Sequence, residues 1–205
     1  MKEIVIGADP FPPYQYIDVE GKVIGFDYEK IKNIIQKMDY KPKFIIDNWS
    51  LIEEGFEKKE IDIIFQVQKT EDRKKRYFFS EKLRNYETAI VSHEEYNNIT
   101  SINELIEKNE EIAVINNYQY GEPIDSIDKK YKVFFESAQD ILDAVSSGKV
   151  LFGVVDVGVF NYLNKKMDKS NLFINRQINF NRTLYVAFHD EKLRDTFDTF
   201  LKQNI

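Results

Sequence analysis

One stretch in the first half of the chain places polar and charged side chains at the end of an apolar run. Ile61–Phe65 has the composition of a buried strand, and Gln66, Gln68 and Arg73 follow it. An open α/β sheet builds small-molecule sites at the carboxyl ends of its strands. An arginine there offers a planar fork of N–H donors to a carboxylate, and Thr70 can cap a short helix beside it. The pattern indicates a binding site for a carboxylate.

The same arginine has a simpler interpretation. Arg73–Arg76 is a run of four cations, and such a run is typical of a solvent-exposed helix face. A second apolar strand, Tyr77–Phe79, then closes on Ser80. The segment alone leaves both interpretations open.

Several kinds of catalytic chemistry are excluded or disfavoured. The chain has no cysteine, which excludes thiolate catalysis, cysteine zinc sites and disulfides. Its two histidines, His93 and His189, are far apart in sequence, and both are predicted in surface turns. No metal-ligand spacing and no glycine-rich phosphate loop is present. We therefore expect no cofactor and no metal.

Composition limits the partners and the cellular location. The 205 residues carry a net charge of -6, with 42% apolar residues, which favours a folded acidic protein and disfavours nucleic acid as a partner. No apolar run approaches the roughly 20 residues that span a bilayer. Met1-Lys2-Glu3 leads directly into an apolar strand. We expect either a cytosolic protein or one whose leader or membrane anchor is absent from this sequence.

Strands alternate with helices along the whole chain, which predicts a mainly parallel sheet. In the first half, a proline-rich loop follows the first strand, and Glu20-Gly21 is a hairpin tip. Asp27 is expected to cap a helix whose apolar residues Ile31, Ile34, Ile35 and Met38 are spaced for one buried stripe. The predicted strands there are Ile4–Ile6, Lys43–Ile46, Ile61–Phe65, Tyr77–Phe79 and Tyr86–Val91, and the predicted helices are Asp27–Met38 and Trp49–Lys58.

The alternation restarts in the second half. A helix is expected between the turn at Asn116–Gln119 and Tyr131, and Ser137 is expected to cap another. The other predicted strands are Ile112–Ile115, Val133–Phe135, Val150–Val155, Leu172–Ile174 and Leu184–Phe188; the other helices are Ile102–Ile106, Ala138–Val145, Val159–Lys165 and Glu191–Gln203. Two such sets predict two lobes with a cleft between them, residues 1–89 plus 181–205 and residues 90–180. The hinges are expected near Thr88–Ile90 and Gln177–Asn181.

An ordered set of short motifs covers nearly the whole chain: Asp9 with Pro12-Pro13-Tyr14, Asp18–Asp27, Trp49–Ile52, Ile61–Ile64, Thr70–Arg73, Phe79-Ser80, Ser147-Gly148-Lys149 and Val154-Val155-Asp156. Each motif alone is weak, but the ordered set is specific. The chain resembles the bacterial family 3 solute-binding proteins that recognise polar amino acids. That resemblance implies the type II periplasmic binding fold, two lobes joined by two extended hinge segments.

The resemblance also implies which residues bind the ligand. Arg73 would hold an α-carboxylate and Asp156 an α-amino group. This pair suits a zwitterion, because a guanidinium only donates hydrogen bonds and a carboxylate only accepts them. The remaining implied ligand contacts are Asp9, Phe11, Tyr14, Trp49, Gln66 and Gln68. Alternatives stay open: Asp156 could cap a helix, Trp49 and the two loop aromatics could be packing residues, and Asp9 could only order its own turn.

This chain departs from the family at the start of a second-lobe helix. Relatives usually carry Gly-Thr-Thr there, and this chain has Asn117, Tyr118 and Gln119. Backbone N–H groups could still hold a carboxylate, but with less space. We therefore expect these three residues at the ligand, and a ligand that is smaller or is not a standard α-amino acid.

The resemblance implies extracytoplasmic binding of a small polar solute by hinge closure, without enzymatic activity. Segments such as Phe152–Val155 and Asn161–Leu163 are similar to the sensor-linked branch, in which the domain is the input of a membrane-bound signalling protein. The alternative is a free receptor that delivers the solute to an ABC permease. A more remote alternative is a dehydratase-like enzyme on the same fold.

Overall fold

The structure is a computed structural model that describes residues 1–95, 98–167 and 171–203. The contacts between Cα atoms divide the chain into two units. The first unit is Met1–Asn85 together with the described residues from Thr183 onward, and the second is Tyr86–Arg182. Sequence analysis placed the two crossings a few residues away, after residues 89 and 180. Each unit is an α/β structure, as predicted.

The strands in chain order are β1 (Lys2–Ala8), β2 (Tyr16–Ile17), β3 (Val23–Ile24), β4 (Tyr40–Ile46), β5 (Ile63–Gln68), β6 (Phe78–Phe79), β7 (Arg84–Ser92), β8 (Ile112–Ile115), β9 (Lys132–Phe135), β10 (Phe152–Asp156) and β11 (Phe173–Phe188). The helices are α1 (Phe26–Lys37), α2 (Trp49–Glu57), α3 (Glu71–Lys74), α4 (Ile102–Glu107), α5 (Ala138–Ser146), α6 (Val157–Met167) and α7 (Glu191–Lys202).

The first unit has a sheet in the order β4-β1-β5-β11. Strand β1 runs parallel to both β4 and β5, whereas the end of β11 runs antiparallel to β5 and also pairs with β6. Because parallel strands end at the same edge, β1 and β5 release the residues that follow them side by side. The predicted parallel sheet is confirmed, with antiparallel strands added.

The core of the first unit lies between this sheet and helices α1 and α7. Ile31, Ile34 and Ile35 of α1 form the predicted buried stripe and are shielded completely from solvent. Phe197 and Leu201 of α7 join the same cluster. Burial of one such side chain is worth roughly 1.5–3 kcal/mol, so the two helices fix the sheet firmly.

The second unit has a sheet in the order β7-β10-β8-β9. Strand β10 is parallel to β8 and antiparallel to β7, so the carboxyl ends of β8 and β10 share one edge. Ser137 caps α5 as predicted, because its hydroxyl accepts a hydrogen bond from the Asp140 N–H at 3.2 Å. The core of this unit gathers apolar residues of α4, β8 and β10.

Two sequence predictions in the second half are wrong. No α-helix forms between Gln119 and Tyr131: residues 122–126 form turns, and a short 3-10 helix, Lys129–Tyr131, follows. The Asp125 carboxylate accepts hydrogen bonds from the N–H groups of Tyr120 and Gly121, at 2.9 and 2.7 Å, and Pro123 has no N–H to continue a helix.

The second error concerns the strands predicted separately at residues 172–174 and 184–188. They belong to the single strand β11 of 16 residues, because the polar residues between them pair within the sheet although they show no apolar run.

Gly25 holds the start of α1 in a conformation that only glycine adopts easily. Its φ is 128°, and a Cβ there would lie 2.3 Å from the Tyr14 carbonyl oxygen. Gly21 in the β2–β3 hairpin also has a positive φ, 78°, but a Cβ there would meet nothing within 4 Å.

We expect Gly25→Ala to lower the free energy of unfolding by about 3 kcal/mol or more, since it adds a backbone clash to the strain. Gly21→Ala is the control and should cost about 1 kcal/mol, from the left-handed backbone alone. Urea denaturation of both variants measures the difference. Equal losses would show that the contact with Tyr14 is not a constraint.

Candidate functional site

The carboxyl ends of β1 and β5 gather polar side chains in the first unit. Asp9 follows β1 directly, and Gln66 and Gln68 end β5. Asp9 and Gln66 are buried, and Gln68 is half-buried. The apolar run Ile61–Phe65 predicted that Gln66 and Gln68 follow a buried strand, whereas Asp9 was an expectation from the family resemblance. A buried polar edge of a parallel sheet has the form expected of a small-molecule site.

Gln66 has a left-handed backbone, with a φ of 67°. In the pairing of β5 with β11, Tyr185 lies opposite Val67 and Val186 lies opposite Phe65, so Gln66 is the additional residue of a β-bulge. A non-glycine residue in this region costs on the order of 1–2 kcal/mol. The bulge directs the side-chain amide of Gln66 toward Gln15 and Asp27.

The Gln66 amide nitrogen donates to two buried oxygens. One is Oδ2 of Asp27 at 2.5 Å, and the other is Oε1 of Gln15 at 3.0 Å. Gln15 in turn donates to the Asp9 carbonyl oxygen at 3.1 Å. The expected capping role of Asp27 is therefore wrong: Gly25 occupies the N-cap position of α1, and the Asp27 carboxylate faces the Gln66 amide instead.

Arg84 completes this group and was not predicted. Its guanidinium donates to Oδ1 of Asp27 at 3.3 Å, and its central carbon lies 4.2 Å from the ring centroid of Tyr14. Tyr14 also stacks on Phe11 at 5.4 Å. Tyr14, one of the two loop aromatics, is thus linked to Asp27 through a cation–π contact with Arg84. No local motif marks Arg84, because its partner Asp27 is 57 residues away.

Arg73 is buried, with 3% of its surface exposed, while Lys74, Lys75 and Arg76 are exposed. The interpretation of Arg73 as part of a solvent-exposed face is therefore wrong. Thr70 caps α3 as predicted, since its hydroxyl accepts from the Arg73 N–H at 3.3 Å.

The Arg73 guanidinium already has protein partners. It donates to Oε1 of Glu53 at 2.5 Å and to the Gln68 carbonyl oxygen at 3.3 Å, and it lies 5.4 Å from the ring of Trp49. Trp49 is itself buried at the start of α2. Two hydrogen bonds use two of the five N–H donors of an arginine, so the remaining donors could still bind an anion.

Two side-chain oxygens of this polar edge have no hydrogen-bond partner within the part of the chain that the structure describes. They are Oε1 of Gln66 and Oε1 of Gln68, and both are shielded from solvent. An unsatisfied buried acceptor costs about 1–3 kcal/mol. A bound molecule with N–H or O–H donors would remove that cost.

Charged residues beside Arg73 form a separate exposed network. Arg76 donates to Glu57 and to Asp72, and the Tyr77 hydroxyl donates to Glu57 at 3.1 Å. The hydrogen bond from Arg76 lowers the pKa of Glu57, and burial raises the pKa of Tyr77 to about 12. By bonding both Asp72 of α3 and Glu57 of α2, Arg76 links the two helices at the protein surface.

Asp156 ends β10 in the second unit and is buried. Its Oδ1 accepts a hydrogen bond from the Val159 N–H at 2.9 Å, so it caps α6, which was the alternative interpretation of this residue. A carboxylate accepts several hydrogen bonds, and capping does not exclude a second acceptor role.

The turn that follows β8 carries Asn117, Tyr118 and Gln119. Asn117 has a positive φ of 57° and is exposed with Gln119, and Tyr118 packs on Tyr120 at 5.7 Å. The Tyr118 N–H donates to Ile115. The N–H groups of Tyr120 and Gly121 are bound by Asp125. The N–H groups of Tyr118, Tyr120 and Gly121 thus already have protein acceptors.

Both histidines lie at bends outside the regular elements, as the predicted surface turns require, but neither is fully exposed. His189 is half-buried, because its ring stacks on Phe56 at 3.9 Å and its Nε2 lies 2.8 Å from the Phe56 carbonyl oxygen. His93 is also half-buried. His189 therefore packs against the first unit's helix α2.

Comparison with known families decides the class of protein. Residues 4–205 match the bacterial extracellular solute-binding proteins, family 3. The chain belongs to this family. The resemblance stated from the sequence motifs is confirmed.

Two curated relatives show how far the likeness extends. The "Probable amino-acid ABC transporter-binding protein" of Haemophilus influenzae is 28% identical over 106 residues, which is 51% of this chain and 41% of that protein. The L-cystine-binding protein TcyA of Bacillus subtilis is 24% identical over 97% of this chain and 69% of its own length.

Solved structures confirm the type II periplasmic binding fold. A Gly52Ala mutant of arginine-bound ArgBP from T. maritima has a TM-score of 0.86 at 20% identity, covering 99% of this chain and 96% of that one. A histidine kinase sensor domain with similarity to periplasmic binding proteins has a TM-score of 0.87 at 21% identity, covering 98% and 89%.

The bulge at Gln66 gives a test of the site's backbone. Gln66→Gly and Gln66→Ala both remove the amide, so their difference isolates the left-handed conformation. We expect the glycine variant to have the higher free energy of unfolding by about 1 kcal/mol, measured by urea denaturation.

The control is the adjacent strand residue. Val67→Gly should have a lower free energy of unfolding than Val67→Ala, the reverse of the order at Gln66, because glycine weakens a strand by roughly 0.5–1 kcal/mol relative to alanine. The same order at both positions would argue against the bulge.

Proposed function

We propose that the protein binds a small polar solute with amino-acid chemistry, outside the cytoplasm and without converting it. The observation that carries this proposal is the buried polar edge of the first unit, where Gln66 and Gln68 hold side-chain oxygens with no partner in the described residues. Family membership supports it, because the family is defined by solute binding. Amino acids are bound by the curated relatives named above.

The chemistry of a zwitterion fits the available groups. The Arg73 guanidinium is fixed by Glu53 and Trp49 and retains N–H donors for a carboxylate. An ammonium group would donate to the amide oxygen of Gln66 or Gln68 and to the Asp156 carboxylate. Asp9, Phe11, Tyr14 and Trp49 would enclose the rest of the solute.

The residues of the two units would act together through closure on the ligand. Asp156 and the Asn117–Gln119 turn belong to the second unit, whereas Arg73 and Gln66 belong to the first. We infer that the two chain crossings, within β7 and β11, are the hinges. The closed state would be selected by contacts that the open state lacks.

We propose that this closure serves a membrane-bound signalling protein of which the chain is the input domain. The support is the similarity of Phe152–Val155, Asn161–Leu163 and the strand Asn181–Phe188 to the sensor-linked branch, together with the histidine kinase sensor domain among the structural neighbours. No helix in residues 1–95, 98–167 or 171–203 is long and apolar enough to cross a membrane.

The second candidate is a receptor that delivers the solute to an ABC permease. The relative from H. influenzae supports it by its description as an ABC transporter-binding protein. Both candidates share the ligand site and differ only in what the closed state contacts.

Thermal-shift screening with the twenty amino acids and simple carboxylates tests the binding proposal. At a hundred times Kd a ligand adds about 2.7 kcal/mol, which raises the Tm of a domain of this size by roughly 5–10 °C. Arg73→Ala should abolish the shift. Lys75→Ala, an exposed cation beside α3, is the matched control and should leave it unchanged.

Glu53→Gln separates a binding role of Arg73 from a structural one. It removes the protein's own anion from Arg73 and keeps the guanidinium, so the ligand shift should persist. Loss of folding in Arg73→Ala together with an unchanged ligand shift in Arg73→Lys would contradict the ligand role. A wild-type protein stabilised by none of these compounds would contradict the function itself.

Assays of signalling output and of solute uptake with the full gene product distinguish a sensor from a transport receptor. If it is a sensor, the stabilising amino acid should change the kinase or cyclase output of the membrane-embedded protein at least about twofold, and Arg73→Ala should remove the response. Deletion of the gene should then leave uptake of the radiolabelled amino acid intact. Abolished uptake without any signalling output would favour the permease receptor.

A further inference from the structure

Arg182 is a buried cation in the second unit that the sequence analysis did not single out. It lies on β11 with 4% of its surface exposed. Its Nε donates to the hydroxyl of Thr88 at 2.9 Å, and its Nη1 donates to the Gln119 carbonyl oxygen at 3.4 Å. Its central carbon lies 5.1 Å from the ring centroid of Tyr120.

Arg182 forms no ion pair with a carboxylate among the residues that the structure describes; it contacts a hydroxyl, a carbonyl oxygen and an aromatic ring. The two arginines of the first unit's site differ in this respect: Arg73 pairs with Glu53 at 2.5 Å and Arg84 with Asp27 at 3.3 Å. Arginine stays protonated in proteins, and a buried charge without a counter-charge is costly. An anion bound at Arg182 would supply that counter-charge.

The position of Arg182 points to the ligand site. Its partner Gln119 belongs to the predicted binding turn, and its partner Thr88 lies opposite Asp156 in the pairing of β7 with β10. Arg182 is thus linked to both ligand-binding segments predicted in the second unit. Its two hydrogen bonds leave three N–H donors of the guanidinium.

The turn itself offers few alternatives to Arg182. The N–H of Tyr118 is bound by Ile115, and those of Tyr120 and Gly121 are bound by the Asp125 carboxylate. These donors cannot serve a carboxylate without breaking existing bonds. A cation beside the turn can.

We propose that Arg182 binds the α-carboxylate of the solute from the second unit. The inference rests on the proposed function and deepens it, because it makes an α-carboxylate, rather than any polar group, the required feature of the ligand.

A cycle of protein and ligand changes tests this assignment. Binding of each of the twenty amino acids and of its α-carboxamide is measured by calorimetry to the wild type and to Arg182→Gln. For the amino acids that bind, we expect Arg182→Gln to weaken binding of the acid by at least about 30-fold and of the carboxamide by less than threefold. Arg176→Gln, an exposed arginine on the same strand, should weaken neither.

The stability of the unliganded protein distinguishes binding from a structural role. Because the buried charge lacks a counter-charge, Arg182→Met should leave the ligand-free Tm unchanged or raise it. Arg182→Lys keeps the charge and should retain part of the preference for the acid.

Equal weakening of acid and carboxamide in Arg182→Gln, or a fall of several degrees in the ligand-free Tm of Arg182→Met, would overturn the assignment and make Arg182 a support of the turn. If the wild type binds no amino acid, the proposed function fails together with this inference. If it binds them and Arg182→Gln binds equally well, only the inference fails.

Discussion

The hydrogen bonds of the Gln66 amide join three separate segments of the first unit. Through Asp27 and Gln15 they connect β5 to the start of α1 and to the loop after β1. They require the left-handed backbone of the bulge, which β5 can hold because its neighbours Phe65 and Val67 are fully buried in the sheet. Tightly packed neighbours can hold a residue in a strained backbone conformation, which fixes its polar side chain in one position.

Arg73 and Arg84, beside the first unit's polar edge, are each paired with a carboxylate. The same Asp27 that accepts from Gln66 also holds Arg84, and Arg84 covers the ring of Tyr14. Arg73 is balanced by Glu53 in the same unit. Since Arg73 and Arg84 both pair with protein carboxylates, their positions do not depend on a ligand. A preformed frame of this kind lowers the entropy that binding must overcome.

Local patterns predicted the helices and strands well, and they failed where distant residues decide. The stripe of Ile31, Ile34 and Ile35 and the caps Thr70 and Ser137 are local signals, and the structure confirms them. The bulge at Gln66 depends on the register with β11, more than a hundred residues later, which no local pattern encodes. Arg84 and Arg182 were missed for the same reason, because their partners are distant in sequence.

The turn after β8 shows how one local change redistributes binding roles. With Gly121 and Pro123 next to it, the segment cannot continue as a helix, and Asp125 binds the N–H groups that a helix start would offer to an anion. The N–H groups of Tyr120 and Gly121 therefore already have an acceptor, whereas a guanidinium beside the turn can hold further N–H donors. Arg182 is held beside that turn by the Gln119 carbonyl, and it has donors left. Asp125 and Arg182 thus both contact the turn after β8, Asp125 through the backbone N–H groups of Tyr120 and Gly121 and Arg182 through the Gln119 carbonyl oxygen.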